Sequence, residues 1–241
     1  MKPSVSAVIP VFNEEGNVLS LVTALAGVLA ARGEAYEIIV VNDGSTDGTA
    51  AEIAAAAALV PACRELRLPR QSGQAAALLA GLQAAQAPLI VTLDGDGQND
   101  PRDLPALLDM VTSGQVDLAC GWRQGRKGSR LRAWMSRVAN GVRRRVLRDG
   151  VHDSGCQLRA FRREVASAFE PMELMQSFVP ALAAAAGFRV GEHPVRDHPR
   201  TAGTSKYGFL RLWLRPALAM VQLRWRWWRR PPARLAPPRP S

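Results

Sequence analysis

Three cysteines and three histidines in 241 residues are too few, and too scattered, for most of the chemistry those residues support. Cys63, Cys120 and Cys156 form no CxxC pair and have no histidine at metal-ligand spacing. That argues against a zinc site or a disulfide framework and makes reduced core thiols the default. His152, His193 and His198 likewise show no ligand spacing and read as structural or solvated. Long apolar runs are missing as well. Crossing a bilayer takes about 18–20 uncharged residues, and the longest candidate, Phe209–Leu223, is broken by Arg211, Arg215 and Pro216. Met1–Val11 is too short and too polar for a signal peptide. No transmembrane span and no signal peptide are therefore expected.

Acidic residues are scarce in the second half. Residues 1–120 carry 6 Lys/Arg against 14 Asp/Glu, whereas residues 121–241 carry 25 against 7, for an overall charge of +10. A basic second half of net +18 suggests a partner bearing phosphates: a nucleotide, a nucleic acid or an anionic membrane. The 241-residue length allows one large α/β domain or two small ones.

Apolar runs alternate with helical stretches from the start of the chain. Val5–Phe12, Glu37–Val41, Glu65–Leu68, Leu89–Leu93 and Val116–Trp122 read as strands. Between them, helices are expected from Asn13 to about Gly33, from Thr46 to before Pro61, over Ser72–Ala87 and over Pro101–Val111. The alternation predicts βαβ units, a mostly parallel sheet and ligands at the carboxyl ends of its strands. Asn13-Glu14, Asn42-Asp43-Gly44-Ser45 and Asp94-Gly95-Asp96 all fall at such ends. After Gly121 the pattern changes: an Arg-crowded helix over Ser129–Leu147, a turn and strand within Asp153–Arg162, an apolar helix over Glu173–Ala186 and a strand over Phe188–Pro194. A polar loop, Asp197–Tyr207, leads to a helix over Gly208–Trp228 and a Pro/Arg-rich tail from Pro231 that reads as disordered.

The stretch Leu89–Pro101, LIVTLDGDGQNDP, carries the most chemistry. Alternation along an extended backbone points Asp94 and Asp96 the same way, and Gln98 can follow them. Two such close carboxylates repel unless a cation lies between them, and the hard-oxygen set suits Mg²⁺ or Mn²⁺. A divalent ion with open positions is what a nucleoside diphosphate needs.

Four segments in order, VIPVFNEEGN (Val8–Asn17), EIIVVNDGSTDGT (Glu37–Thr49), LDGDGQNDP (Leu93–Pro101) and HPRTAGTSKYG (His198–Gly208), resemble the family 2 glycosyltransferases of GT-A fold. The likeness is closest to the branch of dolichyl-phosphate mannosyltransferase and bacterial polyprenyl-phosphate glycosyltransferases. It implies a GT-A (Rossmann-like) α/β domain over 1–207, with a nucleotide-sugar half over 1–122 and an acceptor half over 123–207. An amphipathic helix over 208–230 and the tail over 231–241 would follow.

The resemblance also implies roles. Pro10, Val11, Phe12, Asn13 and Glu14 would wall the nucleotide pocket, and Asp43, with Asn42 beside it where many relatives carry Asp, would contact base or ribose. Gly73 would be backbone-critical, with Gln71 where relatives carry Asn. Asp94, Asp96 and Gln98 match the metal and diphosphate motif, Asp96 being the foremost ligand. Arg123 would hold an anionic acceptor, as would the stripe Arg132, Ser136 and Asn140, with Asp153 beside it. Arg200, Ser205 and Lys206 match the R-x-G-x-S-K loop, in which Arg200 and Lys206 would neutralise leaving-group charge.

The reaction so implied is inverting transfer of a hexose from GDP-mannose or a UDP-sugar to a polyprenyl phosphate. A phosphate monoester is mostly dianionic at neutral pH and requires no strong base. A sugar hydroxyl acceptor, the alternative, would need one, and Asp153 is the first candidate. Gly208–Ser241 holds 8 Arg, no acids and four of the six tryptophans. Leu210, Trp213, Leu214, Ala217 and Val221 fall at helical spacing there. Arg and Trp together favour an anionic membrane interface, so a peripheral protein on the cytoplasmic face is expected. Nucleic-acid binding through the RWRWWRR run is the distant alternative; it leaves the ordered acidic motifs unexplained, and no nucleic-acid partner is expected.

Overall fold

β1 (Val5–Val11) and β2 (Tyr36–Asn42) are almost continuously buried, which is why both read as unbroken apolar runs. A computed structural model describes residues 2–123, 141–147, 149–172, 174–198 and 211–229, with the backbone alone at 211–217 and 228–229. In chain order, α1 (Val18–Ala31), β2, α2 (Thr49–Leu59), β3 (Cys63–Arg67), α3 (Gln74–Ala84) and β4 (Leu89–Thr92) follow β1. A 3-10 turn (Pro101–Asp103), α4 (Leu104–Thr112) and β5 (Leu118–Arg123) come next. After a helical stretch, α5, over 141–147 come β6 (Arg159–Arg162), a second 3-10 turn (Arg163–Ala168), α6 (Met175–Ala185), β7 (Val190–Val195) and α7 (Arg211–Arg229).

The seven strands form one sheet in the order β3-β2-β1-β4-β6-β5-β7. All pairings are parallel except those of β6, which runs antiparallel to both β4 and β5. β1 is central, with Val5 in register with Tyr36 on one side and Leu89 on the other. One face is covered by α1, α2 and α4, the other by α3, α6 and α7. In α1, Val18, Leu21, Val22, Leu25 and Leu29 are buried at helical spacing. The first N–H groups of this helix have no intrahelical partner, and the Glu52 carboxylate on α2 accepts from Gly16 N, from Val18 N at 3.0 Å and from Leu19 N at 3.2 Å. The carboxylate thus caps the helix and meets the positive end of its dipole.

β5 spans the boundary expected at residue 122, so both halves of the chain build the same sheet. Asp117, buried at the start of β5, ties it to its neighbours. Its carboxylate accepts from Arg189 Nη2 at 2.9 Å and Nε at 3.1 Å, and Arg162 lies 3.9 Å away.

Several boundaries differ from the sequence reading. The helix expected over Pro101–Val111 is split, because the Asp100 side chain accepts from Arg102 N at 2.9 Å and sets a 3-10 turn first. α6 starts at Met175 rather than Glu173, after Leu174 in a left-handed conformation (φ 61°). The last helix forms, and it is two-faced. Ala219 and Leu223 are buried against the α3/α6 layer, whereas Leu218, Val221 and Trp225 are exposed. Of the apolar face expected from the sequence, Val221 is the member whose side chain is described, and it points outward. Among the described residues no helix is long and apolar enough to cross a membrane. Cys63, Cys120 and Cys156 are free and buried, as expected of core thiols.

Candidate functional site

The carboxyl ends of β1, β2 and β4 meet where strand order reverses around β1, the usual position for a ligand in a parallel sheet. Leaving β1, Asn13 turns with φ 53°. Its Oδ1 accepts from Thr46 N at 2.8 Å, and its own N–H donates to Ser45 Oγ at 3.1 Å. Glu14 N donates to Thr49 Oγ1 at 2.9 Å, and Glu14 Oε2 accepts from Asn17 Nδ2 at 3.0 Å. The loops after β1 and β2 are thereby laced into one wall. Pro10 and Phe12 are half-buried in it. Val11 contributes backbone, its side chain being in the core and its carbonyl accepting from Asp43 N at 2.9 Å.

Asn42, expected at the ligand, is fully buried behind this wall. Its Oδ1 accepts from Ser45 N at 2.9 Å and its Nδ2 donates to Glu65 at 2.8 Å, which shapes the turn. Asp43, expected on base or ribose, also works on the protein. Its two oxygens accept from Ser72 N at 2.7 Å and Gly73 N at 2.8 Å, which fixes the loop entering α3. Gly44 allows this approach: it has φ +71°, and a Cβ there would sit 2.8 Å from the Arg70 carbonyl carbon.

The strap after β4 lies across the same opening. Gly95 presses it onto β1, where a Cβ would meet Val11 Cγ1 at 2.5 Å. Asp94 Oδ1 accepts from Gln74 Nε2 at 2.6 Å, and buried Asp96 accepts from Gln98 N at 3.1 Å. The strap's far end is clasped by the segment after β7. His198 N donates to Gln98 O at 3.0 Å, and Asn99 forms a bridge with Asp197. Asp100 takes Arg102 Nη2 at 2.7 Å and His198 Nε2 at 3.0 Å. The Arg102 hydrogen bonds, aided by His198 and Arg196 against the cost of burial, hold the Asp100 carboxyl well below the usual carboxylate range. Arg196 reaches Asp103 at 2.6 Å.

Among the described residues no group of three or more His, Cys, Asp or Glu converges. By residue type, Asp94, Asp96 and the Gln98 amide offer two carboxylates and a neutral oxygen. That set fits Mg²⁺ or Mn²⁺ held through one or two carboxylates and completed by the phosphates of a ligand, and it does not fit a closed all-protein cage.

At the end of β5, Arg123 and Asp153, both expected at the acceptor, are paired with each other. Arg123 Nε donates to Oδ2 at 2.7 Å and Nη2 to Oδ1 at 3.0 Å, and both side chains are largely buried. Burial opposes the Arg123 charge, but the Asp153 carboxylate more than offsets it and drives the guanidinium pKa upward. Glu192 on β7 accepts from the backbone N–H of His152 at 2.8 Å and of Asp153 at 3.1 Å, and the His152 ring stacks on Trp122 at 4.7 Å. This side of the site is thus a rigid shelf of paired charges. Arg132, Ser136, Asn140, Arg200, Ser205 and Lys206 lie outside the described residues. Gln74, Gln176, Glu192 and Asp100 were missed from the sequence. Gln74, Gln176 and Glu192 have partners 20 to 102 residues away, and Asp100 joins its neighbour Arg102 to His198, 98 residues on, distances that no local spacing rule spans.

Comparisons with known proteins identify the family and the fold. The family described as "Glycosyl transferase family 2" matches residues 6–169. A dodecaprenyl-phosphate galacturonate synthase of Rhizobium johnstonii is 39% identical over 212 residues, covering 86% of this chain and 62% of the relative. An undecaprenyl-phosphate 4-deoxy-4-formamido-L-arabinose transferase of Pseudomonas paraeruginosa is 37% identical over 210 residues, covering 86% and 61%. The chain thus spans about three-fifths of the length of these curated relatives. Glucosyl-3-phosphoglycerate synthase from Mycobacterium tuberculosis, solved in complex with Mn²⁺, UDP-glucose and phosphoglyceric acid, superposes with a TM-score of 0.67 at 20% identity. That alignment covers 92% of this chain and 79% of the other. At that identity the likeness is one of fold.

Proposed function

The chain belongs to glycosyl transferase family 2, and from that premise we propose that it transfers a sugar from a nucleoside-diphosphate donor to a polyprenyl phosphate. The observation that carries the reading is the strap of Asp94, Asp96 and Gln98. It is held across the β1/β4 opening beside a wall that Asn13 and Asp43 fix in place. The curated relatives, both named for polyprenyl-phosphate sugar transfer, support the acceptor class.

In this reading a phosphate oxygen of the acceptor attacks the anomeric carbon. The C–O bond to the diphosphate breaks, and the nucleoside diphosphate departs with inversion. Asp94, Asp96 and Gln98 would hold a divalent cation, which when bound would supply positive charge to the departing diphosphate. The remaining tasks belong to the chain. Asp43 orders the Ser72–Gly73 loop that leads into α3, whose N-terminal N–H groups suit a phosphate. From the sequence, Arg200 and Lys206 are assigned to the leaving group. Arg123 and Asp153 are assigned to holding the 149–158 segment. The ion pair also weighs against a saccharide hydroxyl acceptor, because Asp153, the candidate base, already has both oxygens on Arg123. Leu218, Val221 and Trp225, beside exposed Arg224, suit an anionic lipid surface on which such an acceptor resides.

The test is transfer of label from a panel of nucleotide sugars into organic-extractable lipid, with polyprenyl phosphate and Mg²⁺ or Mn²⁺ present. Acid-labile labelled lipid made by the intact chain and not by Asp96→Asn is expected. Metal-dependent donor hydrolysis with no lipid product would overturn the acceptor assignment.

A further inference from the structure

Gln74 Nε2 donates to Asp94 Oδ1 at 2.6 Å, and Gln176 Nε2 donates to Gln74 Oε1 at 3.0 Å. These three side chains come from the strap, from the first residue of α3 and from the second residue of α6. They form a chain whose polarity is dictated from one end. An ionised carboxylate only accepts, so Gln74 must turn its NH₂ toward Asp94. Its carbonyl oxygen then faces Gln176, which must answer with its own NH₂. No amide in the series can flip without placing two acceptors or two donors face to face. At the other end of Gln176, Oε1 is buried and has no hydrogen-bond partner among the described residues. Leaving a buried acceptor unpaired is costly, and the one hydrogen bond described for the Gln176 side chain is the one to Gln74.

We propose that Gln74 and Gln176 are positioning residues, a fixed-polarity amide relay that orients Asp94 toward the divalent cation. The relay rests on the metal-strap reading given above. By donating to Oδ1, Gln74 restrains the rotation of the Asp94 carboxylate. Gln176 holds Gln74 in the required orientation and links the strap to α6, 102 residues downstream of Gln74.

The experiment measures Mn²⁺ bound to the chain in the presence of a nucleoside diphosphate, from the electron paramagnetic resonance signal of free Mn²⁺. It compares Gln74→Met, Gln176→Met, the double variant and Gln176→Glu, with thermal melting alongside. Methionine keeps the volume and removes the hydrogen bond. Glutamate keeps the shape and cannot donate to Gln74. Gln74 is exposed and water can take part of its place at Asp94, so loss of this charge-assisted hydrogen bond is expected to weaken Mn²⁺ binding about threefold in Gln74→Met. A smaller loss is expected in both Gln176 variants. The double variant should be no weaker than Gln74→Met, with melting temperatures unchanged throughout. Mn²⁺ binding as tight in Gln74→Met as in the unaltered chain overturns the relay alone, and so do additive losses in the double variant. No Mn²⁺ binding by the unaltered chain overturns the metal reading and the relay with it.

Discussion

Asp43→Asn isolates the part of the site that holds a loop rather than a ligand. Asp43 is 3% exposed, and its two oxygens take the N–H groups of Ser72 and Gly73 at 2.7 and 2.8 Å. Asparagine offers one oxygen and one NH₂, so whichever way the amide turns, one of the two donors faces another donor. A hydrogen bond to a charged group contributes about 1.5–3 kcal/mol, and a stranded buried donor costs more still. Ser72 and Gly73 are exposed, however, so water can take up the released N–H and limit the loss. The net effect is about 2 kcal/mol, spent on keeping the loop before α3 in its binding conformation. If the ligand requires that conformation, the loss appears in affinity as roughly thirtyfold. Titration calorimetry of UDP and GDP with Mn²⁺ reads the affinity, and amide exchange at Ser72 and Gly73 reads the loop. Global melting should move little, because both amides lie at the surface. Nucleotide affinity within twofold of the unaltered chain, with unchanged exchange at both amides, would refute the reasoning.

Three further outcomes are expected. Asp153→Asn should destabilise the fold by about 3 kcal/mol in urea denaturation, since it strips one partner from a largely buried ion pair. The double replacement Arg123→Met with Asp153→Leu should recover most of that, and a single-variant loss under 1 kcal/mol would contradict it. Asp100 and Asp117 both titrate below ordinary aspartate. Arg102 is the main cause for the first, and for the second Arg189 and Arg162 outweigh a large burial penalty. Their contribution is complete above the unfolded value near about 4 and is withdrawn as pH falls through the lower folded values. Acid unfolding should accordingly steepen below that pH, and Asp117→Asn should be less stable at neutral pH with a flatter acid decline. Burial pushes the Cys63 and Cys156 thiols up to about 11 and Cys120 to about 12. A disulfide reagent at pH 8 should thus label none of the three in the native chain and all three in guanidinium.

Much of the fold was legible because its parallel strands are buried on both faces, so β1 and β2 announce themselves as apolar runs ending in polar clusters. The donor side of the site was legible for the same reason: in a parallel sheet the polar residues after each strand collect at one edge. β6 was harder. Arg159-Ala160-Phe161-Arg162 carries two arginines, and Arg159 is tolerated in the interior with its Nη2 on the Ser154 carbonyl at 3.0 Å. Charge pairing escaped the sequence altogether. Arg123 and Asp153 each looked available to a ligand, and what binds them is a partner 30 residues away across the sheet edge. Asn42 and Asp43 sat at the right place in the chain, but one faces the core and the other a backbone loop, a distinction set by the turn at Gly44.

The position of β6 between β4 and β5 also sets an order of assembly during synthesis. When residue 123 has emerged, β1 to β4 can already pair among themselves, whereas β5 has neither of its neighbours: β6 arrives about forty residues later, and β7 later still. At synthesis rates of roughly 5–20 residues per second the wait is several seconds. Through that interval β5 is an apolar strand with two open edges, the condition under which nascent chains pair with one another. A chain stopped short of Arg159 would carry every residue of the acidic strap and yet display that open strand permanently.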